Sequence, residues 1–356
     1  MSDIYSLHKI LHYTDKLDSL PQDVPDIKPP VHIRIKPTNV CGHHCWYCAY
    51  RVDDLQLGKD MVIKDAIPRD KMMEIVDDIV EMGVKAVTFS GGGDPFYYHH
   101  LLETVKRLAQ TDVKFASLTN GARLSGELAE VFADAGSWLR ISIDGWDGKS
   151  YAEQRGVRED EFGKVIDNLA TFASMKRNCY LGMSIIVDHK NAPHLYEMIK
   201  LFSELGVDSV KISPVIVSND GNVTNEYHQK IWDSVEEQYL RAKSDYGSDN
   251  FEVYYAYHQV ANKFDKQYDW CPFIQILPVI GADMNVYACH DKAYNLDNGV
   301  LGSIANMRFK DFWYSDKNLF FKINPKQDCK HHCVADEKIK LVFKYLDIEQ
   351  EHMGFV

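Results

Sequence analysis

An α/β architecture built on a parallel sheet is the fold class this sequence predicts, and three observations carry the prediction. Strand and helix signals alternate in six successive βα units between residue 31 and about residue 245, which a parallel sheet accommodates. The polar residues with chemical potential fall directly after the strands, the end at which parallel α/β folds carry their sites. The remaining segment, 246–356, holds four of the eight cysteines among mixed strand and helix signals, which predicts a small cysteine-rich α+β unit.

Residues 1–30 read as an arm closed by Pro25, Pro29 and Pro30, with a helical signal over 4–17. Apolar and β-branched runs predict strands over 31–36, 85–89, 114–118, 138–143, 180–187 and 209–212. Amphipathic periodicity between them predicts helices over 71–81, 98–110, 126–135, 162–176 and 194–205, with a further helix over 226–243. The turn-rich run Ser244-Asp245-Tyr246-Gly247-Ser248-Asp249-Asn250 predicts a boundary. The expected division is therefore an arm at 1–30, an α/β unit at 31–245 and a cysteine-rich unit at 246–356.

Composition narrows the function. The chain has 356 residues, is 45% hydrophobic and carries a net charge of −12. That balance supports a sizeable core and excludes a nucleic-acid footprint. The first residues contain Asp3, His8 and Lys9 and no long apolar run, so no signal peptide is expected. No apolar stretch reaches the ~18 residues of a membrane span. Cysteines without a secretory signal read as metal ligands in a reducing cytoplasm.

The run Cys41-Gly42-His43-His44-Cys45-Trp46-Tyr47-Cys48 follows the first strand. Thiolates suit iron–sulfur clusters, which usually take four. Three thiolates on a four-iron cube leave one iron open for chemistry. A zinc ion completed by His43 or His44 is the other centre this donor set satisfies. A second motif, Ser90-Gly91-Gly92-Gly93-Asp94-Pro95, lies between the second strand and a helix. There a glycine run lets backbone approach a ligand closely. Zinc would not require it.

The Cys-x3-Cys-x2-Cys spacing and the glycine motif about 45 residues later resemble the radical S-adenosylmethionine (radical SAM) superfamily. The resemblance covers about residues 31–245 and implies a partial (β/α)6 barrel resembling a TIM barrel. It also implies a [4Fe–4S] cluster on Cys41, Cys45 and Cys48 whose open iron chelates SAM. Matched position by position, it places the SAM amino group on the Gly92–Gly93 run, with Asp94 standing where the family usually has Glu. Tyr47 matches the aromatic whose backbone meets adenine. Asn120 and Ser213 follow the third and sixth strands, Ser142 and Asp144 match the ribose-contacting end of the fourth, and Arg155 matches an arginine that pairs with the SAM carboxylate.

Cys271, Cys289, Cys329 and Cys333 form the second set. Four thiolates close a tetrahedral zinc site or ligate a whole [4Fe–4S] cube. The arrangement resembles the short "twitch" form of the SPASM auxiliary-cluster domain, which implies an auxiliary [4Fe–4S] cluster. The family's frequent glycine five residues before the second cysteine is Met284 here, a departure that puts the hairpin turn in question. Cys179 precedes the fifth strand and reads as a packed core thiol.

The resemblance implies reductive SAM cleavage to a 5′-deoxyadenosyl radical that abstracts hydrogen from a small polar substrate, with electrons from a flavodoxin- or ferredoxin-type donor. With all other cysteines assigned, no thiol remains to return hydrogen. The expectation is accordingly a two-electron oxidation, resembling the twitch-type dehydrogenases, with epimerisation or ribosomal-peptide maturation as alternatives. The pattern around Lys36-Pro37-Thr38-Asn39-Val40-Cys41 resembles radical SAM proteins of surface-polysaccharide biosynthesis, implying a sugar, amino sugar or nucleotide sugar. Expected substrate contacts are His99, His100, His290, Asp291 and Lys292.

Overall fold

The structure, a computed structural model, describes residues 4–52, 58–175, 178–257 and 264–355. The start of the arm and the expected helix end at Lys176 lie outside them. Ten strands form one sheet. In chain order they are β1 His32–Ile35, β2 Ala86–Phe89, β3 Lys114–Thr119, β4 Trp138–Ser142, β5 Tyr180–Val187, β6 Ser209–Pro214, β7 Glu252–Tyr255, β8 Val279–Ile280, β9 Asn285–Tyr287 and β10 Val300–Ser303. Their spatial order is β10-β9-β8-β1-β2-β3-β4-β5-β6-β7, an open sheet. From β1 to β7 every neighbouring pair runs parallel.

Alternation sets each strand's faces. In β1 the side chains of Ile33 and Ile35 are fully buried against the helices, while His32 and Arg34 turn to the other face. The helix Arg69–Met82 buries Met72, Ile75, Val76 and Ile79, one helical stripe, and stops at Gly83 in the left-handed region. Helices of this kind cover one side of the parallel strands, and their stripes merge with the strand interiors into one large core. Cys179 lies in that core. The N-terminal arm reaches the sheet as well: Tyr5 stacks on Tyr254 of β7, its hydroxyl lies 3.1 Å from Ser209 Oγ of β6, and Arg140 of β4 donates to it. No helix of the described residues is long and apolar enough to cross a membrane.

Two expectations need correction. The boundary expected at 244–250 is the loop into a seventh parallel strand. β7 pairs with β6 over Ser209↔Glu252 to Ile212↔Tyr255, so the sheet continues beyond residue 245. The helix expected over 226–243 is two, Gly221–Gln229 and Trp232–Tyr246. Near the end of the first, His228 is drawn inward, its ring engaged by the Tyr257 hydroxyl at 2.5 Å and the Val215 carbonyl at 2.7 Å. A helix over Gly148–Arg155 was not foreseen. Asp147 caps it in a reciprocal box with Ser150.

The questioned hairpin forms. Parallel pairing of β8 with β1 brings it to the main sheet, and β9 returns antiparallel. Met284 occupies its turn at φ +62°, the left-handed conformation that glycine adopts freely. Asp283 holds the turn in place, accepting from the Asn285 backbone N–H, the Asn285 side-chain amide and the Tyr287 hydroxyl. A left-handed residue with a Cβ costs about 1–2 kcal/mol. Met284→Gly should therefore be more stable than Met284→Ala by about 1 kcal/mol, since both lose the methionine packing and only glycine relieves the strain. Thermal unfolding of the two variants measures the difference, and an Ala variant at least as stable as Gly would contradict the strain.

Candidate functional site

The loop carrying the first three cysteines leaves β1 at its C-terminal end. It turns on backbone bonds from Cys48 N–H to the Cys45 carbonyl, and from Arg51 and Val52 N–H to the Cys48 carbonyl. All three thiols are half-buried. Burial pushes Cys41 up to about 11 and raises Cys48 as well, so these thiols need nearby positive charge to ionise. Donors already face them: Asn120 Nδ2 stands 3.8 Å from Cys41 Sγ, and Arg155 Nη1 3.6 Å from Cys45 Sγ. Trp46 ties the loop to the barrel, donating to Gln154 at 2.5 Å, and Gln154 in turn donates to Asp188.

The glycine run packs onto this loop. A Cβ on Gly93 would lie 2.2 Å from the Val40 carbonyl oxygen, and one on Gly92 2.5 Å from Asn39 Oδ1. Gly93 is therefore required by backbone contact between the two motifs, and Gly92 by the side chains of Met61, Asn39 and Tyr294 crowding it. Asp94 is buried, and its carboxylate accepts from Phe96 N–H, Asn120 N–H and the Thr119 hydroxyl. It fastens the glycine run to the end of β3, a structural load that its position in the sequence did not reveal.

At the end of β4, Asp144 is fully buried. Its carboxylate accepts from the Ile186 N–H at 2.6 Å, pairs with Arg155 Nη2, and accepts from the Tyr47 hydroxyl. Burial pushes the Asp144 carboxyl up, and the Arg155 guanidinium opposes that push. Tyr47, Asp144 and Arg155, separate expectations in the sequence, are thus one buried network touching the Cys45 thiol. The Asp144–Arg155 ion pair is internal, with Arg155 4% exposed and its Nε left without a hydrogen-bond partner. Ser142 and Ser213, at the ends of β4 and β6, are half-buried on the same rim.

Between the two cysteine sets lies a junction the sequence reading missed. Lys36, fully buried one residue past β1, donates to the Tyr50 hydroxyl at 2.6 Å and to the Gly91 carbonyl at 3.1 Å, and lies 3.2 Å from His290 Nδ1. Burial pulls Lys36 and His290 well below their usual ranges. The available signal was alternation, which places Lys36 on the Arg34 face of β1.

Cys271, Cys289, Cys329 and Cys333 line one cavity of about 70 Å³, with Arg34, Lys266 and Asp291 also in its wall. The other three thiols act on Cys289 through space, and burial is the first cause raising Cys289 far above its usual range. No three His, Cys, Asp or Glu side chains of the described residues converge on the spacing of a single metal ion. The expected substrate contacts separate. His290 and Asp291 both line the cysteine cavity, and His290 also joins the Lys36 junction. Lys292 is spent on the Asn298 side chain and the Asp328 carbonyl. His99 and His100 line a different cavity of about 390 Å³ with Arg123 and Tyr97.

Comparison with known proteins bears on this geometry. Residues 35–189 match the model of the radical SAM superfamily. A probable GTP 3′,8-cyclase of Sulfurisphaera tokodaii is 24% identical over 216 residues, 60% of this chain and 64% of that one. A pre-heme d1 synthase of Dinoroseobacter shibae is 27% identical over 219 residues, 61% of this chain and 51% of that one. The match therefore spans between one half and two thirds of these curated relatives. Among solved structures, Streptococcus suis SuiB bound to its precursor peptide SuiA superposes with a TM-score of 0.60 at 17% identity, over 89% of this chain and 72% of SuiB. Native anSMEcpe with bound AdoMet gives 0.58 at 18% identity, over 89% and 97%. These structures share the fold.

The Asp144–Arg155 pair yields a stability prediction. Removing one charge of a buried pair costs about 3–5 kcal/mol, because the other is left uncompensated. Asp144→Asn should lose stability of that order, and the Asp144→Asn, Arg155→Gln double variant should lose less than the two single losses added. Denaturant unfolding of anaerobically prepared protein measures the cycle. Simple additivity would mean the two side chains do not couple.

Proposed function

Residues 35–189 match the radical SAM superfamily, and from that premise we propose a radical SAM oxidoreductase that removes two electrons from a small polar substrate. The family's cofactors are a [4Fe–4S] cluster and SAM. When bound, they supply the radical that takes a hydrogen atom from an unactivated C–H bond. The half-buried thiols of Cys41, Cys45 and Cys48 would hold the cluster, with Asn120 and Arg155 donating toward its sulfur ligands. The backbone of Gly92 and Gly93, together with Tyr47, Asn120, Ser142, Asp144, Arg155 and Ser213, would form the SAM cradle. Asp94 serves that cradle by fixing the glycine run in place.

One observation carries the oxidative reading: four thiols line a single cavity of about 70 Å³. Cys271, Cys289, Cys329 and Cys333 would hold an auxiliary [4Fe–4S] cluster there, in a SPASM- or twitch-like unit. A second redox centre can receive an electron released by a substrate. Tyr50 and His290 sit between the two cysteine sets, where they offer a hydroxyl and an imidazole to a polar substrate group. Lys36 positions both. A sugar, amino sugar or nucleotide sugar has the hydroxyls such a site would grip, and a flavodoxin- or ferredoxin-type protein would deliver the reducing electron.

A second reading follows from the relatives. Their names indicate a nucleotide cyclase and a synthase, which supports a nucleotide-like substrate and a product formed by rearrangement.

Two experiments test these readings. Replacing Cys41, Cys45 and Cys48 together by Ala should lower the iron of anaerobically reconstituted protein from about eight to about four atoms per chain and abolish 5′-deoxyadenosine formation. Retained 5′-deoxyadenosine would exclude the first cysteine set as the SAM-cleaving centre. With substrate deuterated at the attacked carbon, deuterium should enter 5′-deoxyadenosine. The oxidative product should weigh about two mass units less than unlabelled substrate, the two hydrogens lost in the oxidation. A product of unchanged mass composition favours rearrangement or epimerisation over oxidation.

A further inference from the structure

The wall of the four-cysteine cavity contains a cation that the chain itself does not satisfy. Arg34 lies in the middle of β1, paired with Thr88 of β2 on one side and Val279 of β8 on the other. Strand alternation sends its side chain away from the Ile33–Ile35 core face, and the guanidinium lines the cavity beside Cys271, Cys289, Cys329 and Cys333. Nε is buried without a hydrogen-bond partner. Asp291 and the Cys289 thiol act on Arg34 only through space, and no ion pair joins it to a carboxylate among the described residues. Lys266 stands in the same wall, its ammonium donating to the Phe264 and His331 carbonyls.

Holding a half-buried guanidinium without an ion-pair partner carries a desolvation cost. Its place opposite four thiols identifies what offsets that cost. A cube ligated by four thiolates is an anion, and it becomes more anionic when it takes an electron. A fixed cation at its edge stabilises both states, and the reduced state more, since attraction grows with charge. Net charge and hydrogen bonds to sulfur are levers by which proteins set cluster potentials.

We propose that Arg34 is the counter-charge of the auxiliary cluster and raises its reduction potential, making it a better electron acceptor. The proposal rests on the reading that these four cysteines hold a cluster. Arg34 is a positioning residue in this scheme: it touches the cofactor's surroundings and leaves the substrate to the junction at Lys36.

The test is a potentiometric titration of the full, anaerobically reconstituted chain, followed by electron paramagnetic resonance. SAM perturbs the signal of the cluster it binds, so the SAM-insensitive signal reports the second one. In Arg34→Gln the midpoint should fall enough to change the reduced-to-oxidised ratio at fixed poise roughly tenfold, about 59 mV for a one-electron couple. Arg34→Lys keeps the charge and should stay near the parent value. It also carries the test if the Gln variant fails to take up iron, for a Lys variant whose midpoint falls substantially overturns the counter-charge role. An unchanged midpoint in a cluster-loaded Arg34→Gln overturns it too, and would turn attention to an acidic group on the substrate as the anion that Arg34 receives. Parent protein with no SAM-insensitive cluster would overturn the four-thiolate reading and this proposal with it.

Discussion

Parallel pairing between β1 and β8 is the contact on which the rest of the arrangement depends. It is short, two residues in register, Arg34↔Val279 and Ile35↔Ile280. Backbone bonds from Arg34 N–H to the Pro278 carbonyl at 3.0 Å and from Lys36 N–H to the Ile280 carbonyl at 2.8 Å extend it at both ends. β1 leads directly into the first cysteine loop, and β8 lies between Cys271 and Cys289. One hydrogen-bonded strip therefore sets the position of both thiol groups. The side chains that β1 turns toward that strip, Arg34 and Lys36, are the ones found between them.

Buried charge near the first cysteine loop has a different logic. Arg155 reaches Asp144 and the Cys45 thiol together, and Asp144 also receives the Tyr47 hydroxyl and a backbone N–H. Each polar group is desolvated, which is costly when partners are missing and rigidifying when they are present. The network is already assembled from the chain's own groups, so its geometry does not wait for a ligand to arrive.

What the sequence disclosed about this architecture divides along the distance between partners. The cysteine spacing and the glycine run are local, and the period-2 strands following one another predicted a parallel sheet at sight. The junction at Lys36 was invisible because its partners Gly91 and His290 are 55 and 254 positions away. Asp94 looked like a ligand group because its three donors lie in another βα unit or in the backbone. β7 was missed because four residues after a turn-rich stretch read as the start of something new. Met284 was misleading in the opposite sense: Asp283 supplies through its side chain what glycine would have supplied through its backbone.

The parallel part of the sheet ends at β7, which backbone pairing joins through β6 and β5 to β4. Tyr5 bridges that span from one face, stacked on Tyr254, bonded to Ser209 and held by Arg140. It works as a clasp, and the clasp belongs to the same arm whose Ile10, Leu17 and Leu20 share a buried cluster with Cys333. The curvature of the sheet between β4 and β7 is thereby coupled to the docking of the arm, so that a segment outside the parallel strands helps set the geometry of the rim that they share.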